Sequence, residues 1–99
     1  RKRKFVSIVG SFKTQRGAER HKRDLLRKDK TLTLDVFLPY RRSKYWIVAN
    51  AVDVTLDKAR EEASYARRNR LQHDSYVLFL PNAVKSRRIV ARSETRDKR

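Results

Sequence analysis

The 99-residue chain contains no cysteine, which excludes disulfide bonds, zinc–thiolate sites and cysteine nucleophiles. It has two glycines and two prolines, and the glycines do not form the phosphate-binding loop of a nucleotide enzyme. No apolar run approaches the roughly 18–20 residues that a membrane-spanning helix requires. The sequence therefore predicts one small domain without a transmembrane segment.

Histidine and acidic side chains form no pattern that is typical of catalysis or metal binding. The two histidines, His21 and His73, lie far apart and lack the spacing of metal ligands or of a catalytic triad. Glu61 and Glu62 are adjacent in a predicted helix, so their carboxylates point to different faces. We therefore expect no enzymatic activity, no metal site and no cofactor.

Positive charge is abundant and unevenly distributed. Lys and Arg number 27 against 11 Asp and Glu, a net charge of +16, of which residues 1–4 carry +4 and residues 81–99 carry +5. Such charge attracts polyanions, for example nucleic acid, anionic lipid or an acidic envelope polymer. We interpret residues 1–4 and 83–99 as basic tails of a domain at 5–82. The second tail is predicted to be flexible because it lacks apolar periodicity.

Hydrophobic periodicity predicts four strands and two helices within the domain. Threonine at positions 14 and 55 is a suitable N-cap for a helix, and apolar residues recur at helical spacing after each of them. β-branched, aromatic or alternating apolar residues predict the strands. The expected elements are strands at 5–9, 32–38, 45–49 (extending as far as 54) and 75–80, and helices at 14–28 and 55–69.

The order β-α-β-β-α-β predicts an α+β, ferredoxin-like fold. In that fold both helices cover one face of a four-stranded antiparallel sheet, and the other face is left open. Because side chains alternate along a strand, we expect Val6, Ile8, Trp46 and Val48 to share the open face. Trp46 is then either a stacking platform on that face or, if strand three is turned the other way, a core residue.

The first half of the domain resembles a SPOR domain. The resemblance is carried by Val9-Gly10-Ser11-Phe12 at the end of a strand, by Ala18 and Glu19 at the start of a helix, and by Leu25. Residues 45–52 are similar to the second half of that family with one extra residue before Ala59, although Asn50-Ala51 replaces its Gly-Pro turn. The resemblance covers residues 5–80.

The resemblance implies a non-catalytic domain of the bacterial cell envelope or periplasm. SPOR domains bind peptidoglycan glycan strands that lack stem peptides, as at division septa, and the open sheet face holds the glycan. Here the implied ligand-binding positions on that face are Val6, Ile8, Ser11, Trp46 and Val48. Ile8 and Trp46 replace polar residues of the family, which leaves the face more apolar than a sugar-binding sheet usually is, so a protein partner is an alternative occupant.

Two basic clusters are candidate contacts for a polyanion. They comprise Arg41, Arg42 and Lys44 before the third strand, and Arg67, Arg68 and Arg70 at the end of the second helix. RNA binding is therefore an alternative function, in a cytoplasmic or organellar ribonucleoprotein, since an RNA-recognition motif has the same order of elements. A third alternative is a structural subunit of a large assembly that buries an apolar sheet face and basic tails.

Overall fold

The computed structural model describes residues 3–81, and the predicted flexible tail at 83–99 lies outside the described residues. Four strands and two helices follow one another in the predicted order. Their bounds are β1 (Phe5–Phe12), α1 (Gln15–Lys28), β2 (Asp35–Phe37), β3 (Trp46–Val54), α2 (Leu56–Arg68) and β4 (Tyr76–Phe79). β2 and β4 are shorter than predicted, β1 is longer, and β3 extends to Val54, the end of its predicted range.

The described strands form one antiparallel sheet in the order β2-β3-β1-β4. β1 lies in the middle, between β3 and β4, and β2 pairs with the outer side of β3. Ala18 and Leu25 of α1 and Ala66 of α2 pack with Val9 and Val48 of the central strands, so α1 and α2 cover the same face. The predicted α+β, ferredoxin-like fold is confirmed.

Each helix begins at the threonine that the sequence identifies as its N-cap. The Thr14 hydroxyl accepts a hydrogen bond from the Gly17 amide at 3.1 Å, and the Thr55 hydroxyl accepts one from the Lys58 amide at 3.2 Å. These bonds satisfy amides that have no carbonyl partner within the helix. Two basic residues in the last turn of each helix complement the negative end of its dipole; they are Arg27 and Lys28 in α1 and Arg67 and Arg68 in α2.

A bulge in β1 explains the position of His21. Ile8 pairs with Ala49 and Gly10 pairs with Val48, so Val9 is an extra residue without a partner in β3. Its backbone carbonyl accepts a hydrogen bond from His21 Nε2 at 2.8 Å, and the imidazole therefore carries its proton on that nitrogen. His21 thus satisfies a carbonyl that the bulge removes from the ladder.

Gly10 is required because the His21 ring lies directly over it. A Cβ atom at this position would lie 2.8 Å from His21 Cδ2 and 2.9 Å from Phe12 Cε1. We expect Gly10→Ala to lower the free energy of unfolding by about 1–3 kcal/mol, the range for overpacking, in a denaturant titration. The cost should shrink when His21→Ala is introduced as well, because the clashing ring is then absent. An equal cost in both backgrounds would contradict this explanation.

The face opposite α1 and α2 carries a second apolar cluster, and we call it the helix-free face because neither helix of residues 3–81 lies on it. Its buried members come from the strands and from the residue after β4, and they are Val6, Ile8, Phe37, Ile47, Ala49 and Leu80. Val6, Ile8, Phe37 and Ala49 have no exposed surface. The centre of this face, which the sequence predicts to be open, is therefore closed to solvent.

The predicted orientation of β3 is wrong. Ile47 and Ala49 lie on the helix-free face, whereas Val48 packs against helix residues Ala18, Leu25 and Ala66. The four residues Trp46 to Ala49 are all apolar, so alternation in the sequence does not indicate which of them face the helices. The pairing of Val48 with Gly10, beside His21, fixes the orientation that the structure adopts.

Candidate functional site

The predicted sheet-face ligand site is not assembled as expected. Val6 and Ile8 do share the helix-free face, but both are fully buried and offer no surface to a ligand. Val48 is also fully buried, on the opposite face. Of the five predicted positions, only Ser11 and Trp46 present accessible surface.

Ser11 lies on the helix-free face at the end of β1. It is exposed, and its hydroxyl lies 3.3 Å from that of Tyr76, the first residue of β4. The Tyr76 side chain is 45% exposed. The two hydroxyls form a small polar site at the margin of the apolar face, where a ligand can reach them.

Trp46 is a core residue as much as a surface residue. It pairs with Phe12 across the sheet, is half-buried, and packs against the clusters on both faces. The expectation that it stands on the open face beside Val48 is therefore wrong, because Val48 faces the helices.

Replacement of Trp46 by alanine should mainly reduce stability. Truncation of a fully buried tryptophan to alanine lowers the free energy of unfolding by roughly 3–5 kcal/mol, and we expect a loss of about 2 kcal/mol at this half-buried position. A denaturant titration of Trp46→Ala, read by circular dichroism because the only tryptophan is removed, measures the change. A variant with wild-type stability and weakened ligand binding would instead identify Trp46 as a surface stacking platform.

The strand directions bring three loops to the same end of the sheet. β1 ends where β3 and β4 begin, because both pair with it in antiparallel fashion. The β1–α1 loop (13–14), the β2–β3 loop (38–45) and the α2–β4 loop (69–75) therefore meet there. We call these loops, with the first turn of α1 and the last turn of α2, the basic end.

The basic end concentrates positive charge and exposed aromatic rings. Eight exposed cations belong to it, namely Lys13, Arg16, Arg41, Arg42, Lys44, Arg67, Arg68 and Arg70. Tyr40 and Tyr45 in these loops are 62% and 46% exposed, and Tyr76, which directly follows the third loop, is 45% exposed. Asp74 is the only carboxylate of these loops and turns. Both predicted basic clusters thus lie together, and the fold adds Lys13 and Arg16, which the sequence reasoning missed.

Acidic residues lie mostly toward the opposite end. Six of the nine in residues 3–81 belong to its loops and strand ends or to the first two turns of α2. They are Asp29, Asp35, Asp53, Asp57, Glu61 and Glu62. This separation of charge gives the domain an anion-attracting end that its net charge alone does not reveal.

Hydrogen bonds hold Arg67 and Arg70, at the junction of α2 and the α2–β4 loop, in a defined conformation. The Arg67 guanidinium donates to the Ser75 carbonyl at 2.6 Å and ties the end of α2 to the start of β4. The Leu71 amide donates to the Ala66 carbonyl at 2.9 Å, and the Arg70 amide donates to the Arg67 carbonyl at 3.3 Å. These two bonds form a Schellman motif, and they place Arg70 in the left-handed region with φ 57°.

Glycine is the usual residue at the position that Arg70 occupies in a Schellman motif. The arginine side chain makes the left-handed backbone conformation of this residue costlier than it would be for glycine. We expect Arg70→Gly to raise the free energy of unfolding by about 1 kcal/mol, because the left-handed backbone strain is relieved. The same variant should bind an anionic polymer more weakly. Arg68→Gly is the matched control: it removes the same charge from the last helical residue and should lower stability by about 1 kcal/mol. A loss of stability in both variants would contradict the prediction.

Within residues 3–81, no group of three His, Cys, Asp or Glu side chains is arranged to hold a metal ion. The described helices include none that is long and apolar enough to cross a membrane. No known protein family, curated protein or solved structure matches the chain.

Proposed function

We propose that the chain is a non-catalytic binding domain of the bacterial cell envelope whose basic end binds peptidoglycan glycan strands that lack stem peptides. The observation that carries the proposal is the collection of eight cations and three exposed tyrosines at one end of the sheet. A muramic acid residue without its stem peptide has a free carboxylate, so such a strand is an anionic polymer built of sugar rings. Cations and aromatic rings are the side chains that recognise those two features.

The polar groups at the end of β1 support the same ligand. The Ser11 and Tyr76 hydroxyls lie beside the basic end and can exchange hydrogen bonds with sugar hydroxyls. Ser11 belongs to the Gly10-Ser11-Phe12 segment on which the resemblance to SPOR domains rests. The proposed site differs from the expected one because it occupies the end of the sheet and the margin of the helix-free face, whereas the centre of that face is buried.

RNA binding is the second candidate, and the density of cations favours it. An RNA-recognition motif stacks bases on aromatic rings in the middle of its central strands. The corresponding face here has aliphatic Val6, Ile8 and Ile47 on those strands, and they are buried. RNA would therefore have to bind through its phosphates at the basic end, without a stacking platform on the sheet.

The experiment measures affinity for three polymers: stem-peptide-free glycan, the same glycan with its carboxylates amidated, and a single-stranded RNA of similar length. The proposal predicts the tightest binding to the first, weaker binding to the second, and no hydrolysis of any. For RNA, log K should fall with log salt by about 0.7 per neutralised phosphate. RNA binding tighter than glycan binding at physiological salt would support the alternative, and no glycan binding would refute the proposal.

A further inference from the structure

An open cleft of about 580 Å³ lies away from the basic end. The second half of β3, including Ala51 and Val54, forms its floor, and the loop at 31–33 forms one wall. Lys58, Glu62 and Tyr65 of α2 form the other wall, because positions i, i+4 and i+7 share one helix face. The volume of the cleft is in the range that is usual for small-molecule binding sites.

Two irregularities in β3 shape the floor. The register with β1 shifts between Ser7 and Ile8 and again between Phe5 and Ser7, so β3 has extra residues at both places. Asn50 occupies the first of them, and its side-chain amide donates to the Glu62 carbonyl at 3.0 Å. Asp53, near the second, is in the left-handed region with φ 56°. Bulges of this kind re-aim side chains and are frequent beside binding sites.

The cleft offers more hydrogen-bond acceptors than donors. Asp29 accepts hydrogen bonds from the Thr31 hydroxyl at 2.5 Å and from the Tyr65 hydroxyl at 2.6 Å. Both hydroxyl protons are therefore used, and their oxygens are left as acceptors. The same bonds lower the pKa of Asp29 and raise the pKa of Tyr65, so the protons stay on the hydroxyls at neutral pH. The Glu62 carboxylate adds a further acceptor.

Charge in the cleft disfavours an anionic ligand. Lys58 Nζ lies 3.0 Å from a carboxylate oxygen of Glu62, and this partner raises the pKa of Lys58. An anion would meet the carboxylates of Asp35 and Glu62, and Lys58, which is already paired, is the only cation among the described residues that line the cleft. An organic cation would find the Glu62 carboxylate already paired with that ammonium. An uncharged ligand that brings hydroxyl or amide donors and an apolar ring face fits both the polar wall and the aliphatic floor.

We propose that this cleft is a saccharide-binding site, separate from the basic end, in which the Thr31 and Tyr65 oxygens and Glu62 accept hydrogen bonds from sugar hydroxyls. Asp29 acts as a positioning residue, because it fixes the direction of the Thr31 and Tyr65 hydroxyls without lining the cleft. The inference does not rest on glycan binding at the basic end, since none of the cations or of the Tyr40, Tyr45, Tyr76 and Ser11 side chains proposed to bind glycan there lines the cleft.

The test is a titration of the isotope-labelled full chain with N,N′-diacetylchitobiose, followed by amide chemical shifts. Shifts are expected at Thr31, Ala51 and Tyr65. Glu62→Gln should weaken binding about tenfold, the effect of losing a charged hydrogen-bond partner. Glu61→Gln is the matched control, because Glu61 also contacts Lys58, at 3.8 Å, but does not line the cleft. It should leave the affinity unchanged.

A second ligand and a second variant make the outcome decisive. Ala51→Leu should fill the floor and abolish the shifts while the rest of the spectrum stays that of the folded chain. 1,5-Diaminopentane should bind more weakly than the disaccharide, and the opposite order would identify a cation site and overturn the proposal. Absence of cleft shifts up to the solubility limit of the sugar, or shifts confined to the basic end, would also overturn it.

Discussion

Reversal of three charges in the β2–β3 loop, R41E with R42E and K44E, should weaken binding of stem-peptide-free glycan about 100-fold at low salt. All three side chains are exposed at the basic end, beside Tyr40 and Tyr45. Each reversal replaces an attraction to the glycan carboxylates by a repulsion, and the combined effect of several surface charges on a polyanion is large when salt is low. Added salt should reduce the difference between the variant and the wild type.

The matched control reverses Lys28, Lys30 and Arg60. These residues are also exposed and give the same change in net charge, but they lie away from the basic end. Fluorescence anisotropy with labelled glycan should show only a small loss for the control. Equal losses in the two triple variants would mean that net charge rather than the basic end governs binding.

Phe37→Ala should lower the free energy of unfolding by roughly 3–5 kcal/mol, the usual cost of truncating a fully buried aromatic ring. Phe37 has no exposed surface and packs against the cluster on the helix-free face, opposite Ile47 in the ladder. The loss is a large part of the stability of a small domain, so the variant should be partly unfolded near physiological temperature.

Phe79→Ala provides the comparison for that measurement. Phe79 undergoes the same truncation but is 53% exposed at the end of β4. Its ring lies beside the Phe5 ring, at a centroid distance of 5.3 Å. We expect a cost of about 1 kcal/mol in a denaturant titration, in the range of an exposed aromatic pair. Equal costs for the two variants would contradict the burial of the helix-free face.

The sequence was a reliable guide to the helices and to the order of elements. Thr14 and Thr55 cap the helices in the structure as their position before apolar-periodic segments predicts. The periodicity after each threonine is strong because only one helix face is apolar. A chain of this length with this order has few ways to pair four strands, and the ferredoxin-like arrangement follows from them.

The faces of the central strands could not be derived in the same way. Alternation holds only within a continuous ladder, and Val9 interrupts β1 between Ile8 and Gly10. β3 is apolar on both faces from Trp46 to Ala49, so its sequence does not reveal which side meets the helices. The tertiary contact between His21 and the Val9 carbonyl decides the arrangement, and its two partners are 12 residues apart.

The candidate site could be predicted in part. Arg41, Arg42 and Lys44 form one cluster in the sequence, and Arg67, Arg68 and Arg70 form another. Their common location depends on strand direction, and so does the inclusion of Lys13 and Arg16, which follow β1. A topological argument from the predicted fold would have placed all three loops at one end, because β1 ends where β3 begins.

The most direct test of glycan binding by the basic end is a chemical-shift map. The isotope-labelled chain is titrated with stem-peptide-free glycan fragments of two or more disaccharides. If the basic end binds glycan, the largest amide shifts fall on Ser11, Tyr76 and the loops at 13–14, 38–45 and 69–75, and they decrease as salt is raised. Shifts that are absent, or that lie along α1 away from its first turn, would contradict it.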